Sequence, residues 1–121
     1  MMRAPDLYEI LRGLRPGLDE CISQMFVPLM YHIEDKVIRE LLHLDVEVDS
    51  DNLLLAPPND DIYWKYILPF IDMAQGRVDL YREGRALFQE AWKRLERQLF
   101  LGKGEIETVE KQDWTPPAPW V

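Results

Sequence analysis

Hydrophobic residues recur at spacings of three and four over most of the chain, which is the period of an amphipathic helix. The first such stretch covers residues 5–14 and is followed by a Pro-Gly pair, so it predicts a short helix with a sharp end. A second stretch begins at Asp19 and continues to Leu41. Because a proline ring clashes with the preceding helical turn, Pro28 predicts either a kink or a restart within this second helix.

The helical period is absent from residues 43–60. Residues 44–49 alternate apolar and acidic side chains, a pattern that can indicate a half-buried strand. No second strand is evident as its partner, so a long ordered loop is the better interpretation. The apolar run Leu53-Leu54-Leu55 predicts that this loop packs one apolar knob beneath the helices.

Two further helices are predicted after the loop. Residues 60–81 carry a broad apolar stripe, and a new stripe, which includes Leu87, covers residues 87–99. Between them, Arg82-Glu83-Gly84 is predicted to form a corner because glycine is a weak helix former. Gly102 is a favourable place for the last helix to end. The pattern therefore predicts an all-α fold, a small bundle of four to five helices over residues 1–103.

Residues 104–121 differ from the rest of the chain and predict an extended C-terminal arm. Three prolines within residues 116–119 favour polyproline-type backbone. The arm also carries Trp114 and Trp120, although a disordered tail normally lacks large aromatic residues. Two interpretations stand side by side: the tryptophans fold back on their own domain, or they anchor the arm on a neighbouring subunit. Trp64 lies off the main apolar stripe and is a further candidate for contact with another chain.

The amino-acid composition is typical of a single intracellular domain. The length of 121 residues and a hydrophobic content of 47% allow a core without disulfide or metal staples. The single cysteine, Cys21, lies in a helical apolar pattern beside two acids, which favours an inert packing residue. No apolar run approaches the ~18 residues of a membrane-spanning helix, and the first residues lack the apolar core of a secretion signal. We therefore expect neither membrane insertion nor secretion.

Charge is unevenly distributed along the chain. Residues 18–61 contain eleven acids and two bases, a net charge of −9, whereas residues 76–103 contain seven bases and four acids, a net charge of +3. Among these bases, Arg77, Arg82 and Arg85 are candidates for a protein interface. Both regions can be ordinary solvated faces, or the opposite charges can meet between neighbouring copies and set their register. The overall charge of −8 argues against sequence-independent binding to nucleic acid.

Residue patterns that would support catalysis are missing from the sequence. The closely spaced Gly102 and Gly104 lack the spacing of a phosphate-binding loop, and His32 and His43 lie in no zinc-binding frame. Adjacent acids such as Glu34 and Asp35 point about 100° apart on a helix and do not converge on one substrate atom. We therefore expect no enzymatic activity, no cofactor and no metal, with most aromatic residues packed in the core.

The region from the loop onward resembles small structural proteins of phages that infect Firmicutes. The resemblance is carried by Leu54-Leu55-Ala56-Pro57-Pro58-Asn59-Asp60-Asp61-Ile62-Tyr63, Tyr66-Ile67-Leu68, Ile71-Asp72, Gly76, Asp79-Leu80-Tyr81, Ala86-Leu87-Phe88 and Ala91-Trp92. It covers about a third of the chain well. The chain differs in having Arg82-Glu83-Gly84 at the break before the last helix, where those proteins usually have Asn-Asn-Ser, and in its Trp-Pro tail.

Proteins of this family are generally assigned as head–tail connectors or adaptors, which form the ring beneath the portal of a tailed bacteriophage. The resemblance implies a mechanical role: about a dozen copies form a ring, dock on the portal and present a surface to a tail or stopper protein. DNA would pass through without specific binding, in the virion neck, after assembly in the bacterial cytoplasm. A free subunit can be monomeric until the portal templates the ring. The alternative is a small helical regulator that binds one host or viral protein through the Trp-rich tail.

Overall fold

The computed structural model describes the backbone of residues 2–111 and the side chains of residues 2–99. In this part of the chain four α-helices follow one another: α1 (Ala4–Leu14), α2 (Asp19–Lys36), α3 (Asp61–Ala74) and α4 (Val78–Lys111). A single π-helical turn, Val37–Leu41, continues α2. The described residues form no strand, so the predicted all-α bundle is confirmed.

The first two helices form where the apolar period predicts them. In α1, Leu7 and Leu11 lie one turn apart and are fully buried. In α2, Ile22 and Phe26 continue the same pattern. The helix continues through Pro28 without a restart, and this proline is exposed.

The long loop between the π-turn and α3 is anchored to the N-terminus and to the core. The N–H of Ala4 donates to the carbonyl of Ser50 at 2.7 Å, and the N–H of Leu53 donates to the carbonyl of Met2 at 3.0 Å. Leu53 is fully buried and Leu55 nearly so. The predicted loop with an apolar knob is therefore confirmed, and the strand considered for residues 44–49 does not form.

Helix α3 is the centre of the bundle, since α1, α2 and α4 all pack against it. Residues on almost every side of this helix are buried, as expected for a helix that other helices surround. The shared core is formed mainly by these side chains: Leu7, Leu11, Ile22, Phe26, Met30, Ile33, Val37, Leu41, Leu53, Leu55, Ile62, Tyr63, Tyr66, Ile67, Leu68, Ile71, Phe88, Ala91, Trp92 and Leu95.

The corner between α3 and α4 lies at Gly76, so the corner predicted at Arg82-Glu83-Gly84 is wrong. Gly76 has φ +77°, a left-handed conformation that glycine adopts without steric penalty. The N–H of Arg77 then donates to the carbonyl of Asp72 at 2.9 Å and closes the end of α3. Gly84 instead lies within α4 against α3: a Cβ there would be 2.7 Å from Cγ of Pro69. Close helix packing, and not a turn, accounts for this glycine.

Two other predictions about α4 are wrong. The helix continues through Gly102 to Lys111, because an interior glycine costs a helix only about 1 kcal/mol and no proline follows before residue 116. Residues 104–111 of the predicted arm are therefore helical, and residues 112–121 lie outside the described part. Leu87, predicted on the apolar stripe, is 56% exposed because it precedes the buried Phe88 and so points about 100° away from it.

Candidate functional site

A buried polar cluster joins α2, α3 and the long loop. Glu34 on α2 and Tyr63 on α3 are both fully buried, and the Tyr63 hydroxyl donates to Glu34 Oε1 at 2.6 Å. The loop completes the cluster: the N–H of Leu54 donates to Glu34 Oε2 at 2.8 Å, and the N–H of Leu55 donates to the Tyr63 hydroxyl at 2.9 Å. We call this set the loop clamp, because it holds the loop against two helices.

The loop clamp perturbs both of its ionisable groups. Burial raises the pKa of the Glu34 carboxyl above its ordinary value, while the hydrogen bonds from Tyr63 and Leu54 act in the opposite direction. Burial also raises the pKa of the Tyr63 hydroxyl, and the hydrogen bond to Glu34 raises it further. Tyr63 therefore stays protonated and serves as a fixed donor.

A second polar contact connects the end of α1 to the end of α3. Arg15 Nε and Nη2 donate to the two carboxylate oxygens of Asp72 at 2.7 and 2.8 Å, a bidentate pair. Only 2% of the Asp72 side chain is exposed, and 25% of the Arg15 side chain. The hydrogen bond to Asp72 raises the pKa of Arg15, although partial burial opposes it. The pair fixes α1 beside the α3–α4 corner.

Arg85, one of the predicted interface residues, occupies an unusual environment on α4. Its guanidinium carbon lies 5.8, 5.4 and 5.5 Å from the ring centroids of Tyr66, Phe70 and Phe88, within the range of cation–π attraction. Its Nη1 atom is buried and has no hydrogen-bond partner among the described residues.

The remaining predicted interface residues lie in different places. Arg77 and Arg82 are exposed, at the α3–α4 corner and in the first turns of α4. Trp64 is half-buried against the core, and its ring lies 5.6 Å from Nζ of Lys65. Trp114 and Trp120 lie outside the described residues. The structure thus places Arg77 and Arg82 at one end of the bundle, which we call the arginine end. The Arg85 guanidinium lies beside the middle of α3, between Tyr66 and Phe70, and Trp64 lies apart from all three.

The acidic segment, defined as residues 45–51, lies at the other end of the bundle. Its four acids are exposed, and within the described chain only Asp45 forms an ion pair, to Arg39 at 3.6 Å. Arg39 belongs to the π-turn after α2, and Ser50 is bonded to the start of α1. Both ends of the segment are therefore fixed where α1 begins and α2 ends.

Helix directions place the acidic segment and the arginine end far apart. Helices α2 and α3 are antiparallel, since Glu34 contacts Tyr63 whereas His32, earlier in α2, contacts Tyr66. The acidic segment therefore lies beside the start of α3, and the arginine end lies beside its end. Fourteen residues of helix separate these positions, a length of about 20 Å.

The described residues contain no group of three or more His, Cys, Asp or Glu side chains able to hold a metal ion. His32 Nδ1 instead lies 2.6 Å from the hydroxyl of Tyr66, and Cys21 is half-buried beside Met25. A surface depression of about 430 Å³ is lined by residues 76–80, next to the arginine end. In the part of the chain described, no helix is long and apolar enough to cross a membrane.

Comparison of the chain with known protein families, with curated proteins and with solved structures finds no match.

Sequence reasoning missed the roles of Glu34, Arg15 and Asp72. Glu34 carried a signal, because it lies four residues after Met30 and four before Ile38, both buried, and so occupies the core face of its helix. Arg15 carried none, since its partner is 57 residues away in the chain. Such a long-range pair cannot be read from periodicity.

Proposed function

We propose that this protein is a structural subunit of the head–tail connector of a tailed bacteriophage. About a dozen copies form a ring that docks beneath the portal and joins the capsid to the tail or a stopper protein, without catalysis. The ring belongs to the neck of the virion and is assembled in the cytoplasm of the bacterial host. DNA passes through it without specific binding.

The observation that carries the proposal is where the connector-like residues lie. The stretch from Leu54 to Tyr63 contributes to the loop clamp, Asp72 pairs with Arg15, and Gly76 forms the α3–α4 corner. These positions hold the loop and the helices in one arrangement, so the residues that carry the resemblance are residues that shape this fold. The proposal extends the resemblance to a shared role.

Surface charge also supports a subunit with several protein contacts. A ring in which each copy contacts the next by a different surface needs two complementary patches on every subunit. The acidic segment and the arginine end supply opposite charges about 20 Å apart. The net charge of −8 disfavours adhesion of DNA to the ring as a whole.

The experiment mixes the purified protein with the portal ring encoded by the same genome and measures the mass of the complex by sedimentation and native mass spectrometry. A portal complex that carries many copies of this chain, in symmetric stoichiometry, supports the proposal. A stable one-to-one complex with an unrelated protein, together with no portal binding, supports the regulator instead. Deleting residues 112–121 tests the arm: the truncated chain should keep its helical content and lose portal-bound copies.

A further inference from the structure

The two arginines of the arginine end have no ionic partner within one copy of the chain. Arg77 and Arg82 are exposed, and neither forms an ion pair within the described residues. Their guanidinium groups are therefore available to carboxylates of another molecule.

The arginine edge of α4 is not neutralised by its own helix. Val78, Arg82 and Arg85 follow each other at spacings of four and three, so they form one continuous edge. Asp79 lies three residues before Arg82 on the helix surface, but neither Asp79 nor Glu83 forms an ion pair with Arg82 or Arg85 within the described residues. A ligand that meets this edge meets positive charge and one exposed apolar side chain.

The acidic segment has the complementary composition. Acidic side chains alternate with Leu44, Val46 and Val48, and the first two of these are 44% and 46% exposed. The N–H groups of residues 45–48 donate no hydrogen bond within the described chain. The segment thus presents carboxylates and apolar groups together, as the arginine end presents guanidinium groups beside Val78.

The two surfaces cannot meet within one molecule. They lie at opposite ends of α3, and the loop clamp and the Arg15–Asp72 pair hold both ends of the bundle in place. A contact between them must therefore join different copies.

We infer that the acidic segment of one copy docks on the arginine end of a second copy of this chain, with the exposed Arg77 and Arg82 as its contacts. The inference rests on the proposed assembly from many copies and names the surfaces that join them. Each copy contacts one neighbour through its acidic segment and the other neighbour through its arginine end. The contact is therefore head-to-tail and closes into a ring or continues as a filament. Carboxylates of the incoming segment pair with the exposed guanidinium groups of Arg77 and Arg82, because the planar arginine fork suits carboxylate oxygens.

The test measures self-association of the full chain by sedimentation equilibrium and NMR line widths up to about 1 mM, a concentration that detects contacts with Kd in the millimolar range. One variant reverses the segment (Glu47→Lys with Asp49→Lys), and a second reverses the arginine end (Arg77→Glu with Arg82→Glu). Each alone should associate roughly tenfold more weakly than the wild type, because like charges then face each other. An equimolar mixture should regain association, since every contact in an alternating assembly pairs opposite charges again.

Matched controls and a conservative variant complete the test. Glu90→Lys and Arg97→Glu reverse exposed charges on α4 away from the arginine edge and should leave association unchanged. Arg82→Lys keeps the charge without the planar fork and should weaken association while the thermal unfolding temperature stays close to that of the wild type. A wild type that stays monomeric at about 1 mM, reversed variants that associate normally, or a mixture that does not recover association would each overturn the inference.

Two further outcomes separate this inference from the proposed function. No portal is present in the association experiment, so the two proposals can fail separately. If the mixed variants regain association but the protein does not bind the portal, the contact between copies is supported and the connector role is contradicted. If the protein binds the portal but the mixed variants do not regain association, the connector role is supported and the contact is contradicted. Salt-sensitive binding of duplex DNA that Arg82→Glu abolishes would assign the arginine end to phosphate and also overturn the inference.

Discussion

Tyr63 on α3 donates a 2.6 Å hydrogen bond to the buried carboxylate of Glu34 on α2, and each of the two side chains also accepts a backbone N–H from the loop. The relationship links two helices and an irregular segment through one carboxylate and one hydroxyl. The loop carries the acidic segment, so the position of that segment depends on these two residues.

Tyr63→Phe removes the hydroxyl and keeps the ring in the core. The N–H of Leu55 then loses its acceptor and Glu34 loses a donor, so the free energy of unfolding should fall by about 1–3 kcal/mol in urea denaturation. Tyr31→Phe is the control, because Tyr31 is exposed and its hydroxyl forms no hydrogen bond within the described residues. Equal stability of the two variants would contradict a structural role for the loop clamp.

The pH dependence of stability should report the raised pKa of Glu34. A carboxyl whose pKa is higher in the folded than in the unfolded chain binds more protons when folded, so its contribution to stability is complete below its unfolded value of about 4.5 and is lost as pH rises through the folded value. The stability advantage of wild type over Glu34→Gln should therefore be largest at acid pH and shrink towards neutrality. Urea unfolding of both proteins from about pH 3.5 to 8 measures the difference. A difference that grows with pH would mean that burial does not raise the pKa of Glu34 in the folded protein.

Two glycines should respond to alanine in opposite directions. Gly84→Ala would place a methyl group 2.7 Å from the Pro69 ring and should lower the melting temperature by forcing α3 and α4 apart. Gly13→Ala, in α1 with nothing within 4 Å of the new methyl group, should gain up to about 1 kcal/mol from helix propensity. If Gly84→Ala were as stabilising as Gly13→Ala, the close approach of the two helices would be refuted.

Arg15→Ala should destabilise the fold far more than Arg12→Ala. Removing Arg15 leaves the buried Asp72 carboxylate without its partner, at a cost of about 3 kcal/mol. Arg12 also forms ion pairs, with Glu9 and Asp19, but these are exposed to solvent, which screens them, so they contribute little to stability. Thermal and urea unfolding compare the two variants, and similar losses would show that the Arg15–Asp72 pair is not a buried constraint.

Periodicity predicted the helices because burial of one apolar face determines their existence and approximate extent. The starts of α1 and α2 and the buried Leu53 lie close to where the pattern places them. Corners were harder to predict, because a glycine can serve either a left-handed turn or a close helix contact. Gly76 does the first and Gly84 the second, and only the neighbouring Pro69 distinguishes them.

The candidate interface could be predicted only in part. Arg77, Arg82 and Arg85 were identified from charge, and the structure places the first two at one end of the bundle and the Arg85 guanidinium beside the middle of α3. The aromatic surroundings of Arg85 could not be foreseen, because Tyr66, Phe70 and Phe88 reach it from two helices. The separation of the acidic segment from the arginine end likewise depends on helix direction, which local patterns do not specify.

The proposed function is tested most directly by interrupting this gene in the genome that encodes it and measuring the yield of joined phage particles. Electron microscopy of the lysate should then show capsids and separate tails in place of complete virions, and the unaltered gene supplied in trans should restore joining. Complete, infectious tailed particles formed without this protein would contradict the connector role.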